Sequence, residues 1–166
     1  MNSRNLTISF GIIILMTLVS TLLISSVSAK PHFSDKPEPT IEKNPDLSLT
    51  ASFKAIDLGD KAARVYITSL ASAQLGCINL GGKSVPSKEV DFEQIVNQTV
   101  TVKPNDGDIK SSLTLGPPTF PSGSEVCPNP NWSIDIPSLT YENVKLRIER
   151  NNFDILTFNF GNVTQT

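Results

Sequence analysis

Histidine and methionine are scarce in this chain, and their scarcity excludes several metal and catalytic chemistries. The 166 residues contain one histidine, His32, and two methionines, Met1 and Met16. A cupredoxin-type copper site needs two histidines and a cysteine, and zinc sites use clusters of cysteine and histidine. Neither set can be assembled here. A nucleophilic triad also lacks a well-placed base, because His32 lies in a proline-rich segment outside the patterned region.

Blocks of like charge are also absent. The chain carries 14 Lys and Arg against 16 Asp and Glu, without a basic cluster. Nucleic-acid-binding surfaces need clustered cations, so we expect no nucleic-acid partner. The only glycine-rich candidate for a phosphate loop, "LGGK" at 80–83, lacks the required spacing. We therefore expect no cofactor.

An uncharged apolar run at 8–27 follows an amino-terminal region that contains Arg4. Val27 and Ala29 fit the small-residue positions before a signal-peptidase site, so residues 1–29 are predicted to form a signal helix that is removed. Because about 20 apolar residues can span a bilayer, an uncleaved membrane anchor is the alternative. Either way the protein is expected outside the cytoplasm, secreted or anchored to a membrane through this segment alone.

Two cysteines, Cys77 and Cys127, follow the predicted cleavage site. An even number of cysteines in an exported protein favours a disulfide between them. The alternative is a reactive thiol or a metal ligand, for which His32 is the only histidine available as a base.

Residues 30–46 hold four prolines and seven charged residues, with few apolar residues and no period. This composition is typical of a disordered linker, so we expect an extended tether before the folded domain.

Alternating apolar and polar residues begin at Leu47 and recur to the end of the chain. Such a period of two is typical of half-buried strands. Strands are predicted at seven places: 47–55, 62–75, 88–102, 109–115, 132–136, 139–149 and 153–160. No segment after the signal has a convincing helical period.

Seven short strands separated by turn residues predict an antiparallel β-sandwich over 47–166. An immunoglobulin-like arrangement is favoured, with a jelly roll or small barrel as the alternative. The antibody-type signature is missing, because Trp132 follows both cysteines instead of lying between them.

The turn "PNDGD" at 104–108 offers oxygen ligands from Asn105, Asp106 and Asp108, which calcium could use. Asn, Asp and Gly are also the ordinary residues of a tight turn, and the spacing is not that of an EF-hand. We therefore treat calcium here as the weaker interpretation.

Acidic side chains at Glu89, Asp91 and Glu93 share one face of a predicted strand. With Asp108 they are the candidates for a carboxylate pair that hydrolyses a polysaccharide. The simpler interpretation is an exposed strand face opposite Val90 and Phe92.

The remaining candidates are aromatic residues that could bind carbohydrate and asparagines that could carry glycans. Tyr66, Tyr141 and Trp132 could form a carbohydrate platform, although Trp132 shares the parity of apolar neighbours and is predicted in the core. Three sequons could accept glycans if the host glycosylates exported proteins: Asn97, Asn131 and Asn162.

Four stretches in order resemble a known family. They are "SFKAIDLG" (52–59), "ASAQLGCINLGGK" (71–83), "DGDIKSSLTL" (106–115) and "CPNPNWSIDIPSLTYENVKLRI" (127–148). Together they resemble a family of small exported prokaryotic proteins of uncharacterised function. The resemblance implies export and pairing of Cys77 with Cys127, and it implies no catalytic residue.

The sequence favours a non-enzymatic, exported binding or adhesion module that binds a protein or glycan of the cell envelope. Contact is expected through loops at one end, at 81–88 and 116–131. A structural subunit of a surface assembly, joined through edge strands, is the alternative, and a polysaccharide hydrolase is a weaker one.

Overall fold

The structure, a computed structural model, describes residues 29–166 apart from the side chains of 86–89. The predicted signal segment, except Ala29, lies outside the described residues. The elements are β1 (His32–Phe33), β2 (Thr40–Lys43), β3 (Leu49–Ile56), β4 (Ala63–Ile78), β5 (Ser84–Val102), β6 (Ile109–Leu115), α1 (Gly123–Val126), β7 (Ser133–Asp135), β8 (Leu139–Arg150) and β9 (Phe153–Gln165). Within this part of the chain, no helix is long and apolar enough to cross a membrane.

Two antiparallel sheets confirm the predicted sandwich. In the smaller sheet, β3 pairs with β6 on one side and with β1 and β2, one after the other, on its other side. The larger sheet has the order β5-β4-β8-β9, and β7 pairs with Gly76 to Ile78 of β4, on the same side as β8 and beyond the residues that β8 pairs. In immunoglobulin lettering β2, β3 and β6 correspond to A, B and E, and β4, β8 and β9 to C, F and G.

The prediction of a disordered linker at 30–46 is wrong for the two segments that form β1 and β2. Thr40 to Lys43 pair with Leu49 to Ser52 in regular antiparallel register. The rings of Phe33 and Phe53 meet edge to face at 6.2 Å, and those of Phe33 and Phe158 at 5.8 Å. Proline and charge suggested disorder, but a free edge of β3 supplies backbone partners that composition does not reveal.

The core lies between the sheets and follows the predicted alternation. The inward faces of β3, β4, β6 and β8 are buried as expected, and the largest fully buried side chains include Leu49, Ile67, Leu115, Leu146 and Ile148. Val100 differs: the alternation puts it on the same face of β5 as the buried Val96, but it is 36% exposed. It lies on β5, which among the described residues pairs with β4 alone.

Tyr141 is fully buried, so it cannot belong to a carbohydrate platform. Its hydroxyl donates a hydrogen bond to the carbonyl of Leu47, which connects β8 to the turn before β3. Leu47 was predicted to begin that strand, but it has a φ of 65° and the strand starts at Leu49. Burial raises the pKa of Tyr141 to about 12.

Candidate binding surface

The disulfide lies at one end of the sandwich. Cys77 is near the end of β4, and its sulfur is bonded to that of Cys127 at 2.08 Å, with the two Cα atoms 5.9 Å apart. Cys127 immediately follows α1, in the long connection from β6 to β7. The bond therefore joins β4 to this connection instead of joining the two sheets directly.

Residues 116–132 cover the inner face of the β4–β5 hairpin at this end. The rings of Phe120 and Phe92 lie 4.8 Å apart, and the amide of Thr119 donates to Oε1 of Gln94 at 2.7 Å. Leu75, on the same face, is fully buried but lies outside the main core cluster. Phe120 also packs against the main core, so apolar contacts hold the connection on the sandwich and give the disulfide an ordered segment to hold.

Inside the connection, α1 is fixed by close contacts. A Cβ on Gly123 would lie 2.4 Å from the carbonyl oxygen of Trp132, so only glycine fits there. Trp132 is half-buried, short of the core position predicted for it. The carboxylate of Glu125 accepts from the Ser122 amide at 2.6 Å and hydroxyl at 2.7 Å, and these bonds lower its pKa.

The tip of the β4–β5 hairpin stands beside this connection. Asn79 organises the turn, because its side-chain oxygen accepts from the amides of Gly81 and Lys83 at 2.9 and 3.1 Å. Leu80, at the tip, is 85% exposed. We call residues 79–83 and 116–132 together the disulfide end. It contains the whole predicted binding loop 116–131 and the first three residues of the predicted loop 81–88.

A shallow groove of about 420 Å³ lies on the outer face of the larger sheet next to the disulfide end. Its walls come from β4, β5, β8 and the 137–138 turn, and its polar lining includes Ser72, Gln74, Asp91, Glu93 and Glu142. The Ser72 hydroxyl donates to Oε1 of Glu142 at 2.9 Å. Carboxylates, hydroxyls and an amide in one groove suit hydrogen bonding to a polyhydroxyl or cationic ligand.

The candidate carboxylates are not gathered across a cleft. Asp91 and Glu93 are exposed and point the same way from β5, while the side chain of Glu89 lies outside the description. β5 extends about 35 Å from Asp91 to its last residue, Val102. Asp108 lies beyond that end, and its carboxylate is 3.0 Å from the ammonium of Lys54. Asp91 and Asp108 thus cannot act as one pair.

The turn proposed as a weak calcium site is a two-residue β-turn. Asn105 and Asp108 exchange backbone hydrogen bonds of 2.8 and 2.9 Å around Asp106 and Gly107, which have positive φ angles of 50° and 85°. Lys54 already neutralises Asp108. In residues 29–166, side chains of 86–89 excepted, no three His, Cys, Asp or Glu side chains are grouped as a metal site would require.

Tyr66 lies on the outer face of the larger sheet, in a cluster that the sequence did not predict. The guanidinium carbons of Arg64 and Arg147 are each 5.6 Å from its ring centroid. Its hydroxyl donates to Glu149 at 2.8 Å, which raises the pKa of Tyr66. The spacing Arg64–Tyr66 and Arg147–Glu149 puts each pair on one strand face, but only the β4–β8 register brings the pairs together.

A second pocket, of about 580 Å³, opens where residues 34–39 leave the edge of β3. Phe53 contributes to its lining, and Lys54 and Lys110, directly opposite each other on β3 and β6, stand beside it. Pro37 and Glu38 complete the wall. The segment predicted to be a tether therefore helps to form a cavity.

All three sequon asparagines are exposed: Asn97 on β5, Asn131 in the disulfide end and Asn162 on β9. Exposure is compatible with glycosylation at each, which stays a prediction. The chain matches no protein-family model and no curated protein.

Proposed function

We propose that this protein is an exported, non-enzymatic binding module that recognises a protein or glycan of the cell envelope through its disulfide end. The observation that carries the proposal is the construction of that end. A disulfide, the ring contact between Phe120 and Phe92 and a glycine-specific contact hold a long loop beside an exposed hairpin tip. Binding residues commonly lie on loops held by a rigid scaffold.

The position of β1, the first strand of the described residues, supports this assignment. β1 pairs with Ala55 and Ile56, and Nδ1 of His32 lies 3.5 Å from Oδ2 of Asp57. That is the end of the sandwich where β4 begins, whereas the disulfide end lies where β4 finishes. A membrane anchor or any other preceding segment would therefore enter opposite the proposed binding end and leave it accessible.

Export is part of the proposal. Its supports are the signal-like segment at 1–29, the resemblance to small exported prokaryotic proteins, and a cysteine bond of the kind that persists in oxidising compartments. Retention of the segment as a membrane anchor is the alternative. Mass spectrometry of the natively produced protein tests both: a chain that starts at Lys30 means cleavage, and one that keeps residues 1–29 means anchoring.

A non-enzymatic role is proposed because the acidic residues considered for hydrolysis lie on an open sheet face and on a distant turn. A glycosidase needs two carboxyls that flank the scissile bond, about 5–10 Å apart. The groove does place Asp91, Glu93 and Glu142 on one surface, so hydrolysis of an envelope polysaccharide is the second candidate. Release of reducing sugars that the Glu142→Gln variant abolishes would favour it.

The binding proposal is tested with a matched pair of variants. Leu80 is 85% exposed at the disulfide end, and Phe153 is 74% exposed at the other end. We expect Leu80→Asp to reduce capture of envelope proteins or glycans by the immobilised protein at least tenfold, and Phe153→Asp to leave it unchanged. Equal capture by both variants, or no capture by folded wild type, would contradict the assignment.

A further inference from the structure

The outer edge of β5 is long and unpaired in the structure. β5 has 19 residues, and in the described part of the chain β4 is the only strand paired with it. Between Ile95 and Thr101, every residue except Val96 is exposed. An exposed edge presents free N–H and C=O groups that can accept another strand.

The sequence of this edge lacks the features that usually prevent pairing. Residues 95–102, "IVNQTVTV", contain no lysine, proline or acidic residue and are rich in β-branched side chains. Ile95 is 75% exposed, and Val100 is also among the four exposed large apolar side chains of the described region. Ile95 is paired with Leu70 of β4, so the apolar surface extends from the edge strand onto β4.

The opposite edge of the same sheet is built differently. β9 departs from regular pairing with β8 near Gly161, which has a φ of 76°. The Lys43 ammonium also donates to the carbonyl of Thr164 at 3.0 Å, so β2 covers part of that edge. Bulges and covering segments protect sheet edges, whereas β5 keeps regular register with β4 from Ile95 to Val102 and, among the described residues, no strand pairs with its outer edge.

We propose that β5 pairs antiparallel with β5 of a second copy of this chain, with a two-fold axis through Gln98. In an antiparallel pair, residues that lie opposite each other point to the same face of the sheet. The outer faces of the two larger sheets therefore become continuous only if odd-numbered residues of one copy lie opposite odd-numbered residues of the other. This register opposes Val96 to Val100 of the second copy, a favourable pair of β-branched residues.

Charge complementarity selects this register. Lys103 is the only cation in residues 89–103, where Glu89, Asp91 and Glu93 are the anions. The axis at Gln98 sets each Lys103 opposite Glu93 of the other copy, at both ends of the contact. It also sets Ile95 opposite Thr101, so the paired segment coincides with the exposed part of β5.

The pairing has a consequence for the molecule's shape. The two copies run in opposite directions, so their hairpin tips point away from each other. At about 3.3 Å per residue, each tip lies about 50 Å from Gln98, and the tips are about 100 Å apart. The dimer would thus display two disulfide ends at opposite poles and could bridge two partners.

Sedimentation equilibrium of the protein as its host releases it tests the proposal. We expect twice the monomer mass at high concentration, and at least about a tenfold weaker dimer for Ile95→Lys. Phe153→Lys is the matched control, since it places the same charge on an equally exposed apolar site of β9, and it should not change the association. A monomer at every concentration, or a dimer unaffected by Ile95→Lys, would overturn the inference.

The register is tested by exchanging charges. Glu93→Lys and Lys103→Glu should each weaken the dimer. The variant with both exchanges should restore it, because residues 93 and 103 of the two copies again carry opposite charges. Gln98→Cys should give a disulfide-linked dimer across the axis. Failure of both rescue and crosslinking would refute this arrangement. Residues 95–103 lie away from Leu80, so loss of the dimer would leave capture of envelope partners through the disulfide end intact. The result of one test therefore does not decide the other proposal.

Discussion

Removing the bond between Cys77 and Cys127 should cost this protein a large part of its stability. The cysteines are 50 positions apart, and closing a loop of that length lowers the entropy of the unfolded chain by about 14 cal/mol/K. At 25 °C this corresponds to about 4 kcal/mol, an upper value because the chain-entropy account omits residual structure in the unfolded state. Typical single-domain proteins have only 5–15 kcal/mol in total, so roughly a quarter or more is at stake.

The perturbation is the double variant Cys77→Ala/Cys127→Ala, which leaves no single thiol to form wrong bonds. Both sites are buried, so alanine is preferable to serine, whose hydroxyl would need a partner. Urea unfolding gives the free energy, and the Tm should fall by about 14 °C at the unfolding entropy of a domain of this size. Wild type in reductant should match the variant, and reductant should not affect the variant itself.

A second measurement separates local from global effects. β7 is also held by its backbone pairing with Gly76 to Ile78, so without the disulfide the sandwich should remain folded while residues 116–132 open more often. Limited proteolysis should then cut this connection first. A loss of stability under about 1 kcal/mol, together with unchanged proteolysis of 116–132, would refute the view that the disulfide holds this end.

Further predictions concern three other contacts. Tyr141→Phe should cost about 1–3 kcal/mol in urea unfolding, because the partly buried carbonyl of Leu47 loses its donor; an unchanged midpoint would speak against that bond. The folded pKa of Tyr141 is raised to about 12 from 10, so its contribution is complete below pH 10 and is lost as the pH rises to 12; the phenylalanine variant should lose less stability over that range. Gly123→Ala should destabilise the disulfide end by about 1–3 kcal/mol, through collision with the carbonyl of Trp132, and should increase proteolysis there; equal resistance would count against it. Phe33→Ala should lower the Tm by several degrees, whereas no shift would show that β1 does not stabilise the domain.

Patterns of period two predicted the strands well because each strand buries one face and exposes the other. "LSLTASFKA" shows this: Leu49, Ala51, Phe53 and Ala55 are all buried in β3. The same reasoning failed for β5 at Val100, since parity tells which way a side chain points but not whether anything covers it. β1 and β2 were missed because two and four residues are too few to show a period.

The candidate site was predicted only in part. Loop composition identified residues 116–131 and the loop 81–88, of which residues from Ser84 onward belong to β5 instead, and the two cysteines indicated a bond between these regions. The groove beside them was not predicted, because Ser72, Glu93 and Glu142 come from three strands whose register is set by packing. The Tyr66 cluster was missed for the same reason: its four members are ordinary surface residues until β4 and β8 pair.

By itself the sequence determined the class of fold, the boundaries of seven of the nine described strands to within five residues, the two cysteines available for bonding and the scarcity of histidine, since these depend on local composition and period. The tertiary structure alone decided which strands are edges, which end carries the disulfide and where Tyr141 finds its hydrogen-bond acceptor. Those properties depend on contacts between residues far apart in the chain, such as Tyr141 and Leu47, and no local pattern encodes them.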